Sequence, residues 1–140
     1  MEMRHPYYLA LAVECLVWVG EFSEARLVLE EALAIVDKTG ERWSEGELLR
    51  LRGEIEARDD FAAAEASFQA ALKIARRQAT KAWELRSATS LARLWQGQGR
   101  YDDARDLLKP VHDWFTEGFD TPDLIEAKAL LDALAYTKVG

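Results

Sequence analysis

A single cysteine, Cys15, three prolines and eight glycines stand in 140 residues. One thiol excludes an internal disulfide and a zinc-ribbon site, and it suits a reducing compartment. So few turn formers exclude a sandwich or barrel built on many tight turns. No apolar run approaches the length of a bilayer span, and Met1 is not followed by the basic and apolar regions of a signal peptide, so a cytoplasmic chain is expected. There is no Gly-x4-Gly-Lys-Ser/Thr loop and no Gly-x-Gly-x2-Gly; Gly97-Gln98-Gly99 precedes a turn between helical segments, which is no phosphate cradle. Histidine is scarce as well. His5 and His112 are the two present, and His112 with Asp113 and Glu117 makes a poor metal set, because i and i+5 do not share a helix face. Cys15 has no histidine near it in sequence to activate it, so the expectation is a buried, inert thiol beside an apolar stripe. Acid pairs such as Asp59-Asp60 and Asp102-Asp103 sit at turns, where they cap helices. No cofactor, metal or catalytic set is expected.

What the sequence does have is 49% apolar and 31% charged residues, a balance that fits a folded helical chain and excludes a disordered one. Its net charge of −7 is unevenly spread. Residues 14–65 carry fourteen acids and six bases, residues 73–105 eight bases and three acids, and residues 106–140 seven acids and three bases. The acidic total disfavours nucleic-acid binding, which depends on cations that displace counterions from phosphate. The basic segment (Lys73, Arg76, Arg77, Lys81, Arg86, Arg93, Arg100, Arg105) is either a solvated face of two helices or a site for an acidic partner.

An internal repeat organises the chain. Gly20-Glu-Phe-Ser-Glu-Ala25 is followed by Leu29 and Ala32, Asp59-Asp-Phe-Ala-Ala-Ala64 by Phe68 and Ala71, and Gly99-Arg-Tyr-Asp-Asp-Ala104 by Leu108 and Val111. In each, a polar turn carries an aromatic, then alanine three residues later, then apolar residues four and seven further on. A recurrence of about forty residues signals stacked helical pairs. The flanks agree: Leu9, Ala12, Val13 and Leu16, then Leu48, Leu51 and Ile55, then Ala88, Leu91, Ala92 and Trp95 each trace one apolar stripe at helical spacing. Two helices joined by a short turn approach closely only where side chains are small. Ala25, Ala64 and Ala104 are the expected contact points, with Gly53 and Ala92 opposite, while Phe22, Phe61 and Tyr101 plug the ends of the pairs. Gly40 suits a helix C-terminus. Thr121, Pro122 and Asp123 suit the start of a last helix to about Tyr136 that faces inward through Leu124, Ala127, Leu131 and Leu134. Pro110 is expected to kink or restart the helix that contains it. Trp95 reads as core, and Trp43 and Trp83 as staples between repeats or as ligand-facing anchors.

These residues resemble the tetratricopeptide repeat, in the small residue of its first helix, the aromatic at the turn and the small-aromatic-small pattern of its second. The period is longer than usual, only the second repeat keeps glycine (Gly53) in its first helix, and the terminal proline is missing. The strings Pro6–Leu11, Thr39–Trp43, Glu47–Glu54, Ser90–Trp95 and above all Trp114–Leu124 are similar to the C-terminal repeat region of large bacterial signalling proteins. Those proteins carry an adenylate or guanylate cyclase domain or a DNA-binding domain, and an ATPase domain. Their catalytic motifs have no counterpart in this sequence.

The resemblance implies an all-α, right-handed superhelical stack of about seven helices: repeats at 1–40, 41–81 and 82–118, then a capping helix at 119–140, in one structural domain. It also implies a concave groove along the first helix of each pair. Carried over by position, that face comprises Tyr7, Ala10, Glu14 and Trp18, then Glu47, Arg50, Glu54 and Arg58, then Arg86, Thr89, Arg93 and Gln96. The arginines either grip the carboxylates of a protein or peptide, or of another domain of the same polypeptide, or they pair with Glu47, Glu54 and Glu84. A spacer or a self-associating module, joined as a homodimer through Tyr7, Tyr8 and Trp18, is the competing expectation, with a nucleic-acid-binding helical repeat that uses the basic segment behind it.

Overall fold

The computed structural model describes residues 5–137. Among them are seven α-helices and no strand: α1 (Pro6–Trp18), α2 (Phe22–Thr39), α3 (Glu45–Glu56), α4 (Phe61–Gln78), α5 (Lys81–Gly97), α6 (Tyr101–Asp113) and α7 (Pro122–Thr137). The termini beyond them, with the outermost ends of the expected first repeat and last cap, lie outside the described residues. The helices gather into two compact units, the first ending at Ile74 and the second beginning at Ala75, so the division falls within α4.

In the first unit, α1 packs on α2 and α3, and α2 packs on α3. Val13, Ala25, Ala32, Val36 and Leu48 are wholly buried in its core. The buried line of α1 is Pro6, Ala10 and Val13, so Ala12 turns outward and Ala10 faces the core. Ala25 and Ala64 have no exposed surface. Opposite α4, Gly53 of α3 lies against the ring of Phe68. Phe22 is partly buried, with the Arg58 guanidinium 3.9 Å above its ring. Phe61, expected as a plug, is instead 54% exposed; as the first residue of α4 it precedes the helix's buried line of Ala64, Phe68, Ala71, Leu72 and Ala75.

In the second unit, α5 packs on both α6 and α7, and α6 packs on α7. Ala88, Leu91, Ala92, Ala104, Leu108, Ala127 and Leu134 have no exposed surface, and Trp95 is buried with them. α7 buries Leu124, Ala127, Leu130 and Leu134; the inward position is Leu130, with Leu131 only half-buried. α6 runs through Pro110 without interruption.

Helix ends explain the turns. Gly40, at φ 75°, caps α2 through its N–H to the Val36 carbonyl. α1, α4 and α5 end in one motif. Glu21 donates to Leu16 O and Gly20 to Val17 O; Thr80 donates to Ala75 O and Ala79 to Arg76 O; Arg100 donates to Trp95 O and Gly99 to Gln96 O. Each is a paired 6→1 and 5→2 closure that requires a left-handed residue. Two are glycines, and the third is Ala79 at φ 57°. Asp60 Oδ1 accepts from the Ala63 N–H and so starts α4. Thr121 does not cap α7 with its hydroxyl, which donates to the Gly118 carbonyl and ties the preceding turn.

Candidate interaction surfaces

The first unit brings several of the expected groove residues together. Arg50 is buried on α3 and donates to both oxygens of Glu47, at 3.2 and 3.3 Å, and to Glu14 of α1 at 3.1 Å. Burial alone would lower the Arg50 pKa; the charges of Glu47, Glu54 and Glu14 outweigh it, so the guanidinium is held above its ordinary value. Arg50 is therefore a structural cation that joins α1 to α3, and its two partners enclose it.

Tyr7 lies at the N-terminal end of α1, its ring 5.2 Å from that of Trp43. His5 stacks on the same indole at 5.6 Å. The Tyr7 N–H donates to His5 Nδ1, capping α1, and His5 Nε2 reaches Glu41 at 3.0 Å. Trp18 stands at the other end of α1, 88% exposed. Arg58 lies over Phe22 and Glu54 is half-buried. Cys15 is exposed, contrary to the expected buried thiol; it lies on the face of α1 opposite Ala10 and Val13, beyond the reach of the core.

The second unit places Arg86 and Arg93 on one line of α5, seven residues apart. Each meets an acid of α7: Arg86 lies 3.6 Å from Asp123, and Arg93 pairs with Glu126. Arg93 is 43% exposed at its side chain and Arg86 is half-buried. Gln96 continues the line, half-buried, while Thr89 is buried and turns its hydroxyl to the Leu85 carbonyl. Arg50–Glu14 and the α5–α7 pairs share one geometry, a cation on one helix held by an acid two helices away.

A second feature of this unit was not legible in the sequence. A cleft of about 360 Å³ is lined by Arg76, Lys81, Glu84, Asp106, Pro110 and Trp114, among others. Buried Glu84 accepts from Arg76 at 3.2 Å and from Lys81 at 3.3 Å, and Lys81 Nζ stands 5.1 Å above the Trp114 ring. The i,i+3 spacing of Lys81 and Glu84 was the only local signal. Glu84 anchors two cations here. Asp113 accepts from Lys109 and His112, and these bonds hold its carboxyl below the ordinary aspartate value. Among the described residues, no three His, Cys, Asp or Glu side chains stand close enough to hold a metal ion. No helix among them is long and apolar enough to cross a membrane.

Residues 85–113, which cover most of α5 and all of α6, match the family model of the tetratricopeptide repeat. No curated protein and no solved structure matches the chain. The chain is an all-α, tetratricopeptide-like helical protein. Repeats of this kind generally mediate contacts between proteins and are generally non-catalytic.

Proposed function

We propose that the chain is a non-catalytic protein-binding module that recognises an extended acidic segment, of a partner or of another domain of the same polypeptide, on the α5 face carrying Arg86, Arg93 and Gln96. The observation that carries this reading is the placement of Arg86 and Arg93 seven residues apart on one helix, Arg86 half-buried and Arg93 exposed, each paired with an acid of α7. Seven residues of helix advance about 10 Å. Acids three apart on a polyproline II segment lie on one side at about 9 Å. The two spacings match, and a guanidinium's planar fork of donors suits a carboxylate.

Six of the eight cations in the basic segment already hold an acid of the same unit, which favours recognition of a few carboxylates over a phosphate backbone. The likeness of the Trp114–Leu124 string supports a wider context: the C-terminal repeat region of a bacterial, cytoplasmic signalling protein with cyclase or DNA-binding and ATPase domains. In that context the repeats span 1–40, 41–81 and 82–118 with a cap at 119–140.

The test is calorimetric titration of the full chain with a proline-rich peptide bearing Glu-x-x-Glu and with its Gln-x-x-Gln counterpart. Binding of the acidic peptide alone, weakened about tenfold or more by Arg86→Ala and by Arg93→Ala, is expected for charge-assisted bonds. Equal affinity for both peptides would overturn the reading.

A further inference from the structure

α1 is apolar on both of its faces. Pro6, Ala10 and Val13 fill the core, and on the opposite side Tyr8, Leu11, Ala12, Cys15 and Trp18 stand exposed at i, i+3, i+4, i+7 and i+10. The helix has one charged residue, Glu14, and that carboxylate belongs to Arg50. A helix without a polar face is stable in water only when both faces are covered. α7 shows the contrast: its exposed side carries Glu126, Lys128 and Asp132, the last two paired at 3.1 Å.

We infer that the exposed face of α1 docks on the same face of a second copy of the chain, the two helices antiparallel and related by a two-fold axis near Val13. Three observations select this occupant. A two-fold contact requires that residue i meet j while j meets i. The stripe Tyr8, Leu11, Cys15, Trp18 has spacings of three, four and three, which read the same in either direction, so Trp18 of one copy meets Tyr8 of the other and Cys15 meets Leu11. Side-chain size follows the same symmetry. Crossing helices come closest at the centre of the contact, where the stripe carries Leu11, Ala12 and Cys15; its aromatics stand at the ends, where the axes diverge. The face also offers no charge for a charged partner to read. With Trp18 88%, Val19 69%, Tyr8 43% and Leu11 42% exposed, the patch amounts to about 500 Å² per copy when full aromatic areas are scaled by these fractions. Two copies then bury about 1,000 Å², the low end of specific interfaces, which calls for a reversible dimer.

Sedimentation equilibrium of the full chain tests this, with circular dichroism as the control for folding. The mean mass is expected to rise from 15.9 kDa towards twice that value between about 5 and 500 µM, a range that brackets micromolar dissociation constants. Trp18→Glu and Leu11→Glu should each hold the chain at the monomer mass with unchanged helix content. In Leu11→Cys the introduced thiol faces Cys15 of the other copy, so mild oxidation should yield a covalent dimer that Leu11→Ser does not give. A monomer throughout the range would overturn the inference, as would association that survives Trp18→Glu, whose side chain has almost no contact to lose. A disulfide dimer of the unaltered chain, with none gained in Leu11→Cys, would overturn the antiparallel register.

Discussion

The Cα of Gly53 lies directly against the ring of Phe68: a Cβ at position 53 would stand 2.5 Å from Cε1 and 2.6 Å from Cδ1. Phe68 is 1% exposed, so its ring is enclosed by the core and cannot move aside into solvent without unpacking it. Two effects oppose each other in Gly53→Ala. Helix propensity favours alanine by about 0.8–1 kcal/mol, and overpacking costs about 1–3 kcal/mol. At 2.5 Å the clash wins, and net destabilisation of up to about 2 kcal/mol is expected from urea unfolding. The double variant Gly53→Ala/Phe68→Leu should lose less than the sum of its parts, because the smaller side chain removes the clash. A more stable Gly53→Ala would show that the ring yields.

Arg50 illustrates a different dependence. Removing it takes from buried Glu47 the guanidinium that meets both of its oxygens, and breaking one side of a buried pair costs about 3–5 kcal/mol. Arg50→Ala is therefore expected to lower the melting temperature strongly, and Arg50→Lys to recover only part of the loss, since an ammonium cannot span both oxygens of Glu47 and reach Glu14. Replacing the pair together, as Glu47→Leu/Arg50→Met, should be far milder than Arg50→Ala, because both buried members of the pair go together and the half-exposed Glu14 can turn to water. Thermal unfolding of the three variants checks the order.

Ala79 and Gly99 close α4 and α5 with the same hydrogen bonds and the same left-handed backbone, φ 57° and 79°. An L side chain in that region costs about 1–2 kcal/mol, partly offset in the comparison by the chain entropy that glycine loses. Ala79→Gly is accordingly expected to stabilise by about 0.5–1 kcal/mol and Gly99→Ala to destabilise by a similar amount. A Cβ at Gly99 meets nothing within 4 Å, so packing does not confound that half of the comparison. Chemical denaturation of the two variants should move in opposite directions.

Asp113 supplies the pH-sensitive element. Its carboxyl is held below the ordinary value by Lys109 first and His112 second. A carboxylate whose folded pKa is depressed contributes stability above its unfolded pKa, about 3.9, and that contribution fades as pH falls through the lower folded value. Side-chain carbon NMR of Asp113 should give a midpoint below that of an unfolded aspartate, moving upward in Lys109→Ala. An unchanged midpoint would mean that the 2.9 Å contact has no electrostatic weight.

Much of the architecture was legible because it follows from spacing. Residues four and seven beyond each turn alanine are buried in all three pairs, because a helix on a helix needs one stripe and a close approach. What escaped the sequence depends on partners distant in the chain. Nothing local tells that Gly53 receives Phe68, fifteen residues on, or that Arg50 is enclosed by Glu14. Cys15 was misplaced for the reverse reason. An apolar pattern on both sides of α1 conceals which side meets the core, so a thiol beside the stripe read as buried. Phe61 resembled Phe22 and Tyr101 in register, but a ring is covered only if another side chain reaches it, as Arg58 reaches Phe22.

Arg86 and Arg93 differ from Arg50 in a way that decides how binding can be measured. Their pairs with Asp123 and Glu126 are partly exposed, and exposed ion pairs contribute about 0–1 kcal/mol. Arg86→Ala and Arg93→Ala should therefore melt within a few degrees of the unaltered chain, at about 4 °C or less per kcal/mol at this chain length. Any loss of affinity for an acidic segment is then a loss of contact and not of fold. The charge-reversed pair sharpens the point: Arg93→Glu should lose the acidic peptide, and Arg93→Glu combined with Glu126→Arg should restore the ion pair and, with a guanidinium again facing the same surface, recover part of the binding. Calorimetry on the two proteins, with melting curves beside it, separates a recognition face from a pair of helix-to-helix struts. Recovery of stability without any recovery of binding would assign both arginines to packing α5 against α7.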